Sequence, residues 1–296
     1  MKVRIGYGIS GANPVGPDVF AAVVDGLESI GFDSLWLSER IGAPSFDPVA
    51  ALSFAAGRTE RIKLGTSVSV LPGRNPAEVA KTWATLDVLS NGRALPAFGL
   101  GVVHPNEQQA FGVERTERAA RFDEVLPLVR RLWAEESVDH SGTYFQYESL
   151  RVEPKPTKPL DVWLGGKAPS ELKRVGRMGD GWLASFSTPE ICAQSRPVID
   201  EAASAHQRTI DPEHFGAMVF YAHEPLPDAL VKVIAARTPN VDPHDLVPSG
   251  WSAVRTRCEE FVAVGFSKLV LVPFGAVTDW AAELATAADA LLDLQN

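Results

Sequence analysis

Leu164-Gly165-Gly166-Lys167-Ala168-Pro169-Ser170 sets two glycines and a lysine directly ahead of a helical pattern. Glycines let the backbone approach a ligand, the helix start adds free N–H groups and a positive dipole end, and Lys167 adds a full charge. The segment reads as a phosphate seat or as an ordinary tight turn. It is not a P-loop, because the Gly-Lys-Ser ending and its spacing are absent. Ser38-Glu39-Arg40 closes an apolar run. Glu39 there is a general acid or an acceptor for a bound ring, or else one half of a local ion pair with Arg40. His104, just past Gly101, is a residue type that can supply a proton, or it stands solvated in a loop.

Other chemistries find no residues. The six histidines have no metal-ligand spacing, and neither a His-Glu-x-x-His nor a paired-carboxylate motif occurs. A Gly-x-Ser-x-Gly elbow is also absent. Cys192 and Cys258 are too few for a disulfide framework and read as half-buried, reduced thiols. With no metal site and no evident nucleophile, the reaction is expected to rest on an organic cofactor.

The elements that would position these residues alternate along the chain. Strand patterns at 3–9, 32–37, 62–71, 94–100, 160–164, 181–186, 215–222 and 269–272 are separated by helical ones at 17–30, 48–57, 76–89, 121–135, 170–177, 189–206, 251–264 and 278–292. Eight such pairs predict an α/β fold, a single (β/α)8 TIM-type barrel over residues 1–296. Barrels place their chemistry at the carboxyl ends of the strands, where Gly65-Thr66-Ser67-Val68 and Gly99-Leu100-Gly101 fall. Trp36 and Trp182 read as core aromatics. Two stretches break the alternation: 137–159, aromatic and then Pro-rich, predicts a hairpin leading into a turn, and 223–250 is a candidate lid or substrate loop.

Apolar residues make up 45% of the 296 and charged residues 22%, a globular balance. The net charge of −9 argues against a nucleic-acid partner while leaving room for a small anion held by local donors. No apolar stretch is long enough to span a bilayer, and the N-terminus lacks a signal-peptide pattern, so a cytoplasmic protein is expected.

Taken in order, several segments resemble the bacterial luciferase-like superfamily, and more closely its branch of deazaflavin (coenzyme F-420) dependent oxidoreductases. They are Gly31-Phe32-Asp33-Ser34-Leu35-Trp36-Leu37-Ser38-Glu39, Gly65-Thr66-Ser67-Val68 with Arg74-Asn75-Pro76, and Ala84-Thr85-Leu86-Asp87 with Leu89-Ser90-Asn91-Gly92-Arg93. Gly99-Leu100-Gly101 with Ala110-Phe111-Gly112, Leu132-Trp133, Gly142-Thr143-Tyr144-Phe145, and Leu164-Gly165-Gly166 with Arg174 to Trp182 complete the set. The match is dense from about residue 3 to 186.

The resemblance implies a flavin-like ring across the carboxyl ends of the strands, backed by a bulge with a non-proline cis peptide, by position Ser67-Val68. It implies cofactor contacts at Glu39, Gly65, Thr66, Ser67, Val68, Gly101, Gly165, Gly166 and Lys167, the glycine pair and lysine taking the phosphate. It implies a homodimer and hydride transfer to or from a small organic substrate; Glu39 and His104, on the chemistry of the residues themselves, are the catalytic candidates. An FMN-dependent monooxygenase and a deazaflavin-binding barrel without turnover are the alternatives. Two departures stand out. Members of the branch commonly carry Asp-His where this chain has Glu39-Arg40, and Arg40 stays protonated. Some carry an acid after the second glycine of strand four, where this chain has Val102, Val103 and His104.

Overall fold

Pro17 opens the first helix, where a missing N–H costs nothing, and Gly31, at φ 102, closes it by donating its N–H to the Leu27 carbonyl. Phe20, Val23, Val24 and Leu27 lie buried on one face of that helix. The same logic repeats down the chain, with prolines beginning helices and apolar faces turned to a sheet. The computed structural model describes residues 1–9, 13 and 15–296, and the backbone alone of Arg237.

In order, the elements are β1 (Arg4–Ile9), α1 (Pro17–Ile30), β2 (Ser34–Leu37), α2 (Pro48–Ala56), β3 (Lys63–Thr66), β4 (Ser69–Val70), α3 (Pro76–Leu89), β5 (Ala94–Leu95) and β6 (Ala97–Gly99). Then come α4 (Pro105–Phe111), α5 (Arg118–Ala134), β7 (Val138–Ser141), β8 (Gln146–Leu150), β9 (Trp163–Leu164), α6 (Pro169–Met178), β10 (Gly181–Ala184) and α7 (Pro189–Ala205). The chain ends with β11 (Phe215–Tyr221), α8 (Asp228–Arg237), α9 (Pro243–Leu246), α10 (Trp251–Ala263), β12 (Lys268–Pro273) and α11 (Trp280–Leu291).

Ten strands form one parallel sheet in the order β4-β6-β9-β10-β11-β12-β1-β2-β3-β5. The continuous strands expected at 62–71 and 94–100 are each interrupted. Ser67-Val68 parts β3 from β4, and Pro96, which has no N–H to give a ladder, parts β5 from β6. Thr66 repairs the second break: its hydroxyl donates to the Ala97 carbonyl at 2.8 Å and accepts from the Ala97 N–H at 3.1 Å. β3 pairs with β5 and β4 with β6, so both halves of each interrupted strand stay side by side.

The larger core cluster contains Phe20, Leu27, Val125, Leu126 and Val175 from the helices. A second contains Trp36, Ala97, Trp163, Leu183, Met218, Phe220, Val270 and Val272 from the strands. The expected hairpin at 137–159 is β7 and β8, and the Glu124 carboxylate accepts from the N–H groups of Thr143, Tyr144 and Phe145 at its turn. In 223–250, Ile234 of α8 and Leu246 of α9, with the flanking Leu226 and Val247, enter the second cluster. None of the described residues of that segment lines the main pocket, so it backs one wall and does not roof the pocket.

Candidate functional site

The carboxyl ends of the strands surround a cavity of about 600 Å³, a size usual for a small-molecule site. β2 is followed there by Ser38, Glu39 and Arg40; Ser67 and Val68 lie between β3 and β4; Gly99, Leu100 and Gly101 end β6; and Gly165 and Gly166 follow β9. Phe186, Phe220 and Phe274 come from the ends of β10, β11 and β12.

Ser67-Val68 is a non-proline cis peptide, at the position the family resemblance implied. Hydrogen bonds hold both of its residues. The Ser67 N–H donates to the Leu37 carbonyl at 2.8 Å, the Ser38 hydroxyl donates to the Ser67 carbonyl at 3.1 Å, and the Glu39 N–H donates to the Val68 carbonyl at 3.3 Å. The Val68 side chain lies against two glycines. A methyl group on Gly99 would sit 2.6 Å from one Val68 methyl, and one on Gly165 would sit 3.1 Å from the other. Glycine at both positions leaves room for the Val68 side chain, most stringently at Gly99.

Glu39 is 5% exposed. One oxygen accepts from the Val70 N–H at 2.6 Å, and the other pairs with the Arg74 guanidinium. Arg74 also donates from Nε to the Val70 carbonyl at 2.9 Å. Carboxylate and guanidinium together clamp β4 just beyond the cis bond. Burial pushes the Glu39 carboxyl above its usual range, against the opposing pull of Arg74 and the Val70 N–H. A local Glu39–Arg40 pair is therefore not what forms. Arg40 Nε faces Glu107 Oε1 at 3.5 Å, and that nitrogen is buried without a hydrogen bond of good geometry. Glu107, 4% exposed on α4, also accepts from the N–H groups of Ile41 and Gly42 at 3.3 Å.

Several expected site residues stand elsewhere. His104 is exposed and outside the lining; its Nδ1 accepts from the Asn106 N–H at 3.3 Å as the cap of α4. Gly65 packs against Trp36, whose ring would lie 2.5 Å from an added methyl, and buried Thr66 spends its hydroxyl on Ala97. Neither lines the pocket. Gly166, at φ 121, turns the chain into α6, and its carbonyl accepts from Trp182 Nε1 at 2.9 Å. The N–H groups of Lys167 and Ala168 both donate to Glu171 Oε2 at 2.9 Å, so the proposed anion seat already holds a carboxylate. Lys167 itself is exposed and off the lining.

Sequence reasoning missed Arg74, Glu107, Glu171 and the three phenylalanines as site residues. Arg74 had a signal in Arg74-Asn75-Pro76, a segment that carries the family resemblance but was given no site role. Glu107 and Glu171 sit in first helical turns, where an acid commonly caps backbone N–H groups. Among the described residues no cluster of metal-ligating side chains occurs, and no helix is long and apolar enough to cross a membrane. Cys192 and Cys258 are free and buried, not half-buried, and burial pushes both thiols up to about 12.

A parallel α/β sheet with a glycine-cleared pocket at the carboxyl ends of its strands is the scaffold of a small-molecule or cofactor-binding protein. Over residues 5–257 the chain matches the model for luciferase-like monooxygenases, and it belongs to that family. It is 31% identical over 221 residues to an F-420-dependent glucose-6-phosphate dehydrogenase of Amycolatopsis mediterranei, covering 71% of this chain and 66% of the relative. A protein of the same name from Intrasporangium calvum is 34% identical over 225 residues, with the same coverage of each chain. The match thus spans just under two thirds of the length of these curated relatives. Among solved structures, an F-420-dependent secondary alcohol dehydrogenase in complex with an F-420-acetone adduct superposes with a TM-score of 0.84 over all of both chains. At 21% identity that likeness establishes a shared fold.

Proposed function

We propose that this chain is a deazaflavin (coenzyme F-420) dependent oxidoreductase that moves a hydride between that cofactor and a small organic substrate. The observation that carries this reading is the cleared floor, where Val68 lies between Gly99 and Gly165 beside the Ser67-Val68 bond. The curated relatives' names support the same cofactor.

The residues fit a flat ring: Val68, seated against Gly99 and Gly165, would back it, and Ser67 would flank it. At the other end a cofactor phosphate would take the place of the Glu171 carboxylate at the Lys167 and Ala168 N–H groups, with Gly166 setting the turn and Lys167 approaching from solvent. Bound there, the deazaflavin would supply the hydride donor or acceptor. The chain's own part is to orient and to handle the proton. Glu39, within the lining and with its pKa raised by burial, would hydrogen-bond the ring or substrate and accept the hydroxyl proton when an alcohol is oxidised. His104 would reach the reaction only if the start of α4 closed over the pocket.

We read the ten strand segments as one closed (β/α)8 barrel spanning 1–296, with insertions near 137–159 and 223–250. Support comes from the pairing of β12 with β1 and from the short breaks at Ser67-Val68 and Pro96, across which the two ends of the strand order join. A homodimer and a cytoplasmic location belong to the same reading and rest on the family resemblance and the sequence. Titration with coenzyme F-420, followed by its fluorescence, tests the function against a parallel titration with FMN. Saturable quenching by the protein and hydride transfer to a substrate are expected. FMN binding with oxygen consumption, and no response to F-420, would overturn the proposal.

A further inference from the structure

With a ring over Val68, the rest of the lining divides sharply by chemistry. Toward β2 it holds Ser38 and Glu39, while toward β10, β11 and β12 it holds Leu183, Phe186, Met218, Phe220 and Phe274, with Ser185 as a single hydroxyl among the described residues on that side. Phe186 stacks on Phe220 with centroids 4.2 Å apart and planes at 22°, and Phe274 meets both edge-on at 6.5 and 6.3 Å. Such offset and edge-to-face contacts make a preformed apolar surface. Behind them Leu226, Ile234, Leu246 and Val247 belong to the same buried cluster as Phe220, so the wall is packed on its far side as well.

Phe186 has φ 48, a left-handed backbone that a bulky side chain rarely adopts. A glycine would sit there without that cost, so the ring itself is what the position supplies.

The charges point the same way. The described lining residues include three carboxylates, Glu39, Glu107 and Glu171, and one cation, Arg40, which faces Glu107. A phosphorylated sugar needs charge-assisted donors for its phosphate and partners for each hydroxyl. Among the described residues the phenylalanine side offers no charged donor and a single hydroxyl, Ser185.

We infer that the substrate is a neutral aryl or alicyclic ketone, or the matching secondary alcohol, with its ring against Phe186, Phe220 and Phe274 and its oxygen toward Ser38 and Glu39. Glucose 6-phosphate, named for two relatives, would not be accepted. The assignment of ring and oxygen ends rests on the proposed deazaflavin site, whereas the apolar wall does not.

Acetophenone is a suitable probe, with binding read by saturation-transfer NMR in the presence and absence of F-420 and glucose 6-phosphate as the comparison. Saturable acetophenone binding is expected, weakened about tenfold by Phe220→Ala and by Phe186→Gly. Phe186→Gly also relaxes the backbone, so its melting temperature should hold, and Phe274→Leu serves as a conservative third variant if Phe220→Ala unfolds. F-420 affinity should stay within about twofold in each variant. Saturable binding of glucose 6-phosphate, failure of acetophenone to bind, or its indifference to these variants would overturn the inference. Acetophenone binding without F-420 binding would leave the apolar wall standing and remove the cofactor reading; the reverse pattern would do the opposite.

Discussion

Glu39 shows how far a single residue could be read in advance. Its place at the end of β2 offered a general acid, an acceptor or a local ion pair; it lines the pocket, and its partner is Arg74, from a turn far along the chain, and not the adjacent Arg40. Neighbours in sequence suggested a pair that folding replaced with one across two loops. Burial raises its pKa, which fixes the sign of two effects. The carboxyl's contribution to stability is complete below the ordinary glutamate value and is lost as pH rises through the raised one. Alcohol oxidation needs the ionised form, so kcat/KM should rise with pH through a midpoint above the usual carboxylate range. Glu39→Gln keeps an acceptor for Val70 but removes the base. It should cost about a hundredfold in kcat and erase that limb of the pH profile, while stability shifts by about 1 kcal/mol or less because Arg74 is partly exposed. His104→Ala should leave kcat within about twofold and change stability by no more than about 0.5 kcal/mol, as for an exposed side chain. A drop like that of Glu39→Gln would restore His104 to the proton path.

Among the elements, the long amphipathic helices and buried strands were legible because their periods span many residues. The short ones were not: α4 has seven residues, and the breaks at Ser67-Val68 and Pro96 hide inside apolar runs that read as continuous. Close approaches of backbone to side chain, as between Gly99 and Val68, involve residues distant in sequence and leave no local pattern. Gly99→Ala should therefore destabilise the fold by about 1–3 kcal/mol in urea unfolding, as overpacking does, since the new methyl would meet Val68 at 2.6 Å. A neutral result would mean that the floor yields freely. At α6 the segment Gly165-Gly166-Lys167, read as an anion seat or a tight turn, leads into two N–H groups that donate to the Glu171 carboxylate. Glu171→Ala removes that carboxylate from Lys167 and Ala168. It should cost about 1 kcal/mol of stability as a lost cap and tighten F-420 binding severalfold. Weaker F-420 binding in this variant would place the cofactor phosphate elsewhere.

At the scale of the molecule, alternating strands and helices made the α/β class and the pocket-lined ends of the strands visible from sequence alone. The wall of Phe186, Phe220 and Phe274 was not visible, since three well-separated strand ends contribute one ring each and each alone looks like core. The apolar side of the pocket, with Phe186, Phe220 and Phe274, is what favours a neutral substrate. The proposed dimer is checked by light scattering, which should return twice the chain mass; a single chain mass would remove it. The central claim is that a deazaflavin ring rests on the floor around Val68, and Gly165 tests it most directly. A methyl there would stand 3.1 Å from Val68, a contact that needs only a small local shift to be tolerated. Equilibrium titration of Gly165→Ala against the wild-type protein should show F-420 binding weakened by about tenfold, about 1.4 kcal/mol, with the fold intact by circular dichroism. Unchanged F-420 affinity in that folded variant would contradict the account.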